Sequence, residues 1–136
     1  MLGVNKQRHK KDNIMKRDFE LSRLILQKME ECDSPWPSTG PLQFEGYTND
    51  QISYHILILE DAGLLEHHHE SIGNSEGHHL IPGRLTWQGH DFLSLTQDKT
   101  IWLKAKETII KSGTSFTFGL LLEWLKMKAK EKIGLP

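Results

Sequence analysis

Apolar residues recur at helical spacing in two stretches of the first half of the chain. In the first stretch, Asp18 is suited to cap a helix that continues to about Glu31. The apolar stripe of this helix comprises Leu21, Leu24, Ile25, Met29 and Cys32. In the second stretch, Thr48 and Gln51 have the spacing of a capping box, and Gly63 suits the left-handed residue that ends a helix. The pattern predicts a second helix over about 49–62, with Ile52, Ile56, Leu59 and Ala62 facing inward.

In two other places apolar and polar residues alternate, which is the period of a β-strand. A short strand is predicted over "LQFEGY", between the two helices. A β-hairpin is predicted where "LLEHHH" and "HHLIPGRLTW" flank the turn-forming "ESIGNSEG". With Gly73–Asn74 at the turn centre, His69 pairs with His78 and His68 with His79, whereas a longer loop would change these pairs.

Three further helical patterns follow the hairpin. Thr86 or Gln88 begins the first, Asp98 can cap the second, and Thr114 or Ser115 can cap the last. The last helix has the stripe Phe118, Leu121, Leu122, Leu125 and Ala129, which Leu120, Trp124 and Met127 widen. The fold class predicted is therefore α+β, mainly helical, with a β-hairpin and two additional C-terminal helices. We expect the surplus apolar faces to complete the core of a monomer, with a weak homodimer through the terminal helix as the alternative.

Length and composition place these elements in one small globular protein. The chain of 136 residues predicts one domain over 15–136, preceded by a flexible basic arm at residues 1–14. This arm is either a native extension or the product of an upstream start, because "MKRDFELSRLILQKMEE" reads as a natural amino terminus. The lone Cys32 and the lack of an apolar leader or spanning segment favour a cytoplasmic protein without a membrane partner.

Charge is unevenly distributed although the net charge is only −1. The first 17 residues carry six basic side chains against one acid. Between Met29 and Gly83 there is no Lys or Arg, and the same stretch contains ten carboxylates. Positive charge returns at Arg84 and in the lysines of the tail. The middle of the chain therefore suits a partner other than a polyanion.

Four motifs in order resemble a known family of small bacterial and prophage proteins. They are "MKRDFELSRLILQKMEE", "FEGYTNDQISYHILILEDAGLLE", "RLTWQGHDFL" and "LLLEWLKMKAKEKIGL", which together cover residues 15–136. The family is catalogued as domain of unknown function 2513, and the resemblance implies a winged-helix-like fold with the hairpin as its wing. The stretch "YHILILEDAGLLE" with the later "LTWQGHDFL" is also similar to the end of the recognition helix, the wing and the following helix in bacterial winged-helix regulators. However, "PLQFEGYT" is poorly suited to form the short helix that precedes the recognition helix there.

Two functions compete for the second helix and the hairpin. A DNA-binding surface needs Lys or Arg for the phosphates, yet the outward stripe of this helix is acidic and apolar. That stripe, our candidate interaction surface, comprises Asp50, Ser53, Tyr54, Leu57, Glu60 and Asp61. We therefore expect a non-catalytic regulatory or adaptor protein that binds another protein. The alternative is a winged-helix transcriptional regulator that contacts DNA through Lys6, Arg8, Lys10, Lys11, Arg17 and Arg84.

Histidines give the remaining candidate chemistry. His68, His79, His69 and His78 are weak metal ligands, because adjacent strand residues face opposite ways and only two imidazoles share each face. A proton-responsive switch is a further alternative, since histidine is the side chain that gains positive charge on mild acidification, and acids lie beside these residues in the sequence. No catalytic nucleophile, acid–base pair or phosphate-binding loop is recognisable, so we expect no enzyme and no cofactor.

Overall fold

The computed structural model describes residues 15–35, 39–75, 77–110 and 117–136. The chain forms two compact units, Met1–Gly89 and His90–Pro136. Basic residues 6, 8, 10 and 11, predicted to lie in the arm, are outside the described residues, as are Thr114 and Ser115. The single domain expected over 15–136 stays a prediction.

Two helices form the centre of the first unit. Helix α1 spans Phe19–Glu30, and the Asp18 side chain accepts a hydrogen bond from the backbone of Leu21 at 3.0 Å. Helix α2 spans Asn49–Asp61, and both halves of the Thr48–Gln51 capping box are formed. The capping predictions are thus confirmed, because they depend on contacts within a few residues of chain.

Helix α2 ends in a Schellman motif around Gly63. The φ of Gly63 is 76°, and the Leu64 N–H donates to the carbonyl of Leu59 at 2.9 Å. The Gly63 N–H donates to the carbonyl of Glu60, also at 2.9 Å. Gly63 is needed there because a side chain disfavours the left-handed conformation. This turn sends the chain towards the hairpin.

The hairpin consists of β1 (Glu70–Asn74) and β2 (Gly77–Ile81), paired antiparallel. Its existence is confirmed, but the predicted register is wrong because Gly73 faces His78 and Ile72 faces His79. Gly73 belongs to the strand instead of the turn. A Cβ on Gly73 would lie 3.2 Å from the imidazole of His78, so the glycine makes room for its cross-strand partner.

The strand predicted over "LQFEGY" is wrong. Residues 42–47 have no strand pairing, and the Tyr47 N–H closes a turn on the carbonyl of Phe44 at 3.2 Å. Gly46 in that turn has a φ of 87°. No helix occurs within residues 41–48 either. The segment therefore lacks the short helix that normally precedes a recognition helix, as the sequence indicated.

The core of the first unit lies between α1, α2 and the hairpin. Helix α1 packs on α2, which also packs on β2. The buried apolar side chains of these elements are Phe19, Leu21, Ile25, Leu26, Met29, Ile52, Ile56, Leu59 and Ile81. Phe19 and Leu26, outside the predicted stripe, are thus buried, whereas Ala62 and Cys32 are outside the core. Helix α1 is consequently covered on more than one side.

Helix α3 (Trp87–Thr96) begins at the end of the first unit and continues into the second. Asp98 caps α4 (Lys99–Ala105), which passes into a π-helical turn over Lys106–Ile110. Helix α5 spans Phe118–Lys132, and its cap is Thr117 instead of Thr114 or Ser115. The pattern misplaced this cap because several hydroxyl side chains precede the helix.

Packing in the second unit involves the predicted stripe of α5. Leu121 and Leu125 are fully buried, and the rings of Phe92 and Phe118 lie 5.2 Å apart. Leu120 and Met127 remain exposed. The Lys132 ammonium bonds to Asp98 and, with the N-cap hydrogen bonds of α4, lowers the pKa of that exposed carboxyl. The α5 helix is thereby tied to the start of α4.

The predicted fold class is confirmed. Helices and one antiparallel hairpin make an α+β structure that is mainly helical, with a winged-helix-like layout and two helices beyond the hairpin and α3. Among the described residues, no helix combines the length and the apolar character needed to cross a membrane.

Candidate interaction surface

One side of α2 exposes carboxylates around an apolar side chain. Asp50 and Asp61 are exposed, Leu57 is 39% exposed, and Tyr54 is half-buried. These four residues follow helical spacing and form what we call the α2 acidic surface. Within the described part of the chain, neither the Asp50 nor the Asp61 carboxylate takes part in a side-chain hydrogen bond or an ion pair. The surface therefore presents two unneutralised charges beside an accessible leucine.

Two residues of the predicted stripe face the hairpin instead. The Ser53 hydroxyl accepts a hydrogen bond from the Leu80 N–H at 3.3 Å. Glu60 is only 3% exposed, so the expectation that it points to solvent is wrong. The pattern placed both residues outward because it assumed one covered side, whereas α2 is covered by α1 and by β2. Ser53 thus contacts β2 of the hairpin, and Glu60 contacts the segment that leads into β1.

The buried carboxylate of Glu60 is held by imidazoles. His69 Nδ1 lies 2.8 Å from Glu60 Oε2, and His67 Nδ1 lies 3.5 Å from Glu60 Oε1. A carboxylate only accepts hydrogen bonds, so His69 carries its hydrogen on Nδ1 in this contact. Sequence reasoning missed this pairing because Glu60 was assigned to the opposite side of the helix.

The candidate metal pairs are not formed. His68 and His69 precede β1, and neither pairs across the hairpin with His78 or His79. His79 is buried at 3% exposure, and its Nε2 has no hydrogen-bond partner among the described residues. Over the same residues, no three His, Cys, Asp or Glu side chains converge in a way that could hold a metal ion.

A cleft of about 460 Å³ lies beside the hairpin stem. Its lining includes His68, His69, Glu70 and the Glu66–Arg84 pair, whose nearest atoms are 2.7 Å apart. Arg84, one of the candidate DNA contacts, is therefore neutralised by a neighbouring carboxylate. The cleft brings together two of the four candidate histidines, but no distance in it defines a ligand site.

The other candidate DNA contact that the structure describes is Arg17. Its guanidinium carbon lies 4.8 Å from the centroid of the Phe19 ring, and the side chain is exposed. Arg17 precedes α1 and does not belong to α2 or the hairpin. No Lys or Arg occurs in the sequence of α2, β1 or β2. These elements thus offer no cation for a phosphate backbone.

A buried polar node joins the start of α1 to the middle of α2. His55 Nε2 accepts a hydrogen bond from the Asp18 N–H at 2.8 Å, and Nδ1 lies 2.7 Å from the Gln51 carbonyl. The Tyr47 hydroxyl donates to Asp18 Oδ2 at 3.0 Å. The imidazole is 2% exposed, and this burial lowers the pKa of His55 from 6.5 against the raising effects of Gln51 and Asp18. His55 therefore ties α1 to α2 as a neutral side chain.

Among the large hydrophobic side chains that the structure describes, Trp87 is the most exposed at 80%, and sequence reasoning did not single it out. It is the first residue of α3, and its neighbour Thr86 donates from its hydroxyl to the Gly63 carbonyl at 2.5 Å. Trp87 consequently lies near the C-terminal end of α2. The sequence did offer a signal, a threonine suited to cap a helix followed directly by a tryptophan. It could not show that the tryptophan is exposed, because exposure at this position depends on tertiary packing.

The arrangement defines a small winged-helix-like protein whose central helix has a covered side and an acidic one. The family described as "Hypothetical protein (DUF2513)" matches residues 16–115, and the chain belongs to this family. An "Uncharacterized protein" of Haemophilus influenzae is 39% identical over 120 residues, which cover 88% of this chain and 97% of that protein. No solved structure gives a significant match.

Proposed function

We propose that this chain is a non-catalytic regulatory or adaptor protein that binds another protein through the α2 acidic surface. The supporting observation is the exposure of Leu57 between the carboxylates of Asp50 and Asp61, which have no side-chain partner among the described residues, on one side of the helix. An apolar centre with a polar rim is a common arrangement in protein interfaces. A prophage setting would suit such an accessory protein and stays a prediction.

The same side of α2 is a poor candidate for docking in a DNA groove. Its carboxylates would repel phosphates, and the nearest cation downstream in sequence, Arg84, is paired with Glu66. A regulator that binds DNA would have to use the basic termini. This alternative predicts that the full chain shifts duplex DNA at low salt and that deletion of residues 1–14 abolishes the shift.

Site-specific photo-crosslinking in the native host tests the proposed interface. A photoreactive residue at position 57 should capture a protein, whereas one at Leu103, which is 52% exposed in the second unit, should not capture it. Capture from position 57 should be lost when Asp50 and Asp61 are both replaced by lysine. Equal capture from both positions, or capture unaffected by the double replacement, would reject the α2 acidic surface as the interface.

A further inference from the structure

The indole of Trp87 is exposed, and no contact with the described residues explains its position. Its side chain is 80% exposed and takes part in no hydrogen bond or ring contact with the residues that the structure describes. A tryptophan has a large apolar area and an aromatic face, and its exposure to water is unfavourable. Trp is also one of the residue types that dominate binding energy in protein interfaces.

The backbone beside Trp87 is firmly attached to the end of α2. The Thr86 N–H donates to the Leu64 carbonyl at 3.1 Å, and the Thr86 hydroxyl accepts from the Gly89 N–H at 3.0 Å while donating to Gly63. A Cβ on Gly89 would lie 2.2 Å from the Leu64 carbonyl oxygen, so α3 approaches this turn as closely as a glycine allows. A backbone held in this way reduces the ordering cost of binding at Trp87.

The end of α2 to which Trp87 is attached carries negative charge that is not fully compensated by the described residues. The C-terminal end of a helix attracts cations, yet the last turn of α2 contains Glu60 and Asp61 and no basic residue. Glu60 is occupied by His67 and His69, whereas Asp61 is exposed and has no partner among the described residues. An acidic side chain at this end destabilises the isolated helix, but it favours the binding of a positively charged ligand.

We propose that Trp87 and the C-terminal end of α2 bind a Lys or Arg side chain of a partner protein. The cation would lie over the indole face and near the Asp61 carboxylate, which combines a cation–π contact with charge attraction. Arg84 does not supply this cation, because its guanidinium is 2.7 Å from Glu66. The inference deepens the proposed function by naming the chemistry of the partner, and it rests on that function.

Titration of the full chain with a labelled arginine–serine repeat peptide tests the proposal, with fluorescence anisotropy as the readout. The matched probe is the same peptide with citrulline for arginine, which keeps the shape of the side chain and removes its charge. Trp87→Ala should weaken binding of the arginine peptide by roughly 3- to 30-fold, and Trp87→Phe should weaken it less. Leu103→Ala, which truncates another exposed side chain, should leave binding unchanged.

The coupling between Trp87 and the positive charge of the peptide distinguishes a cation site from nonspecific binding. The losses caused by Trp87→Ala and by citrulline should not be additive, because each removes the same contact. Equal binding of both peptides, or equal binding by Trp87→Ala, would overturn the proposal. Light scattering that shows a dimer dissociated by Trp87→Ala would overturn it in favour of a second copy of the chain. If only this inference fails, photo-crosslinking from position 57 persists in Trp87→Ala while the arginine peptide does not bind.

Discussion

The two ends of α2 differ in how their polar groups are satisfied. At the first end, Thr48 and Gln51 cap each other, and in the middle of the helix the buried His55 uses both ring nitrogens in hydrogen bonds to Asp18 and Gln51. At the second end, Asp61 is exposed beside a turn that displays Trp87 to solvent. Satisfied and buried polar groups stabilise a fold, whereas exposed aromatic and charged groups leave binding capacity. The comparison indicates that one end of the helix holds the unit together and the other is available for contact.

Replacement of His55 by alanine tests the buried polar node between α1 and α2 and should have the largest effect. The change leaves the Asp18 N–H without its acceptor and creates a cavity between α1 and α2. We expect the free energy of unfolding to fall by about 2–4 kcal/mol, measured by urea denaturation. His68→Ala, at an exposed position, is the control and should change it by less than about 0.5 kcal/mol. Similar losses in both variants would contradict the role of the buried node.

Replacement of Gly89 by alanine tests how tightly α3 is attached to the end of α2. In a helix this change normally stabilises by up to about 1 kcal/mol, but here the new Cβ would lie 2.2 Å from the Leu64 carbonyl oxygen. We expect destabilisation of about 1–3 kcal/mol in thermal or urea unfolding. Gly119→Ala is the matched control, because its Cβ would be 3.6 Å from the nearest atom, Thr117 Oγ1. A stabilised Gly89→Ala variant would show that the close approach is not required.

Acidification should weaken the same contact between α1 and α2 that His55→Ala removes. The pKa of His55 is below its ordinary value in the folded state, because burial disfavours the charged imidazole. The unfolded chain therefore binds the proton more readily, and stability decreases as pH falls from 6.5 towards the folded pKa. The slope from this group is at most about 1.4 kcal/mol per pH unit. Urea unfolding at several pH values should show this slope in the wild type and its loss in His55→Gln; an unchanged slope would exclude His55 as the cause.

Local chemistry explains which parts of this structure could be predicted from the sequence. The caps Asp18, Thr48 and Asp98 act within one helical turn, so spacing alone identified them. The orientation of Glu60 and the exposure of Trp87 depend on which elements pack beside them. Because the hairpin covers a second side of α2, a helical wheel with one inward stripe placed Glu60 wrongly.

The register of the hairpin failed for a related reason. A glycine in a turn and a glycine opposite a bulky partner look alike in sequence, and Gly73 is of the second kind. The candidate metal pairs depended on that register, since its shift gave His78 and His79 the partners Gly73 and Ile72. Pairing between strands is a nonlocal property, so the composition of each strand could not determine it.

Charge reversal at the two ends of α2 gives the smallest expected effects and the sharpest test of the comparison. Asp61→Lys places a cation at the C-terminal end of the helix and should stabilise the unit by about 0.3–1 kcal/mol. Asp50→Lys places one in the first turn and should destabilise it by a similar amount. If Asp61 is retained for binding, Asp61→Lys should unfold at higher urea concentration and yet bind the arginine–serine peptide more weakly. If Asp61→Lys gains stability and still binds the peptide equally well, the charge at this end of the helix does not contribute to the site at Trp87.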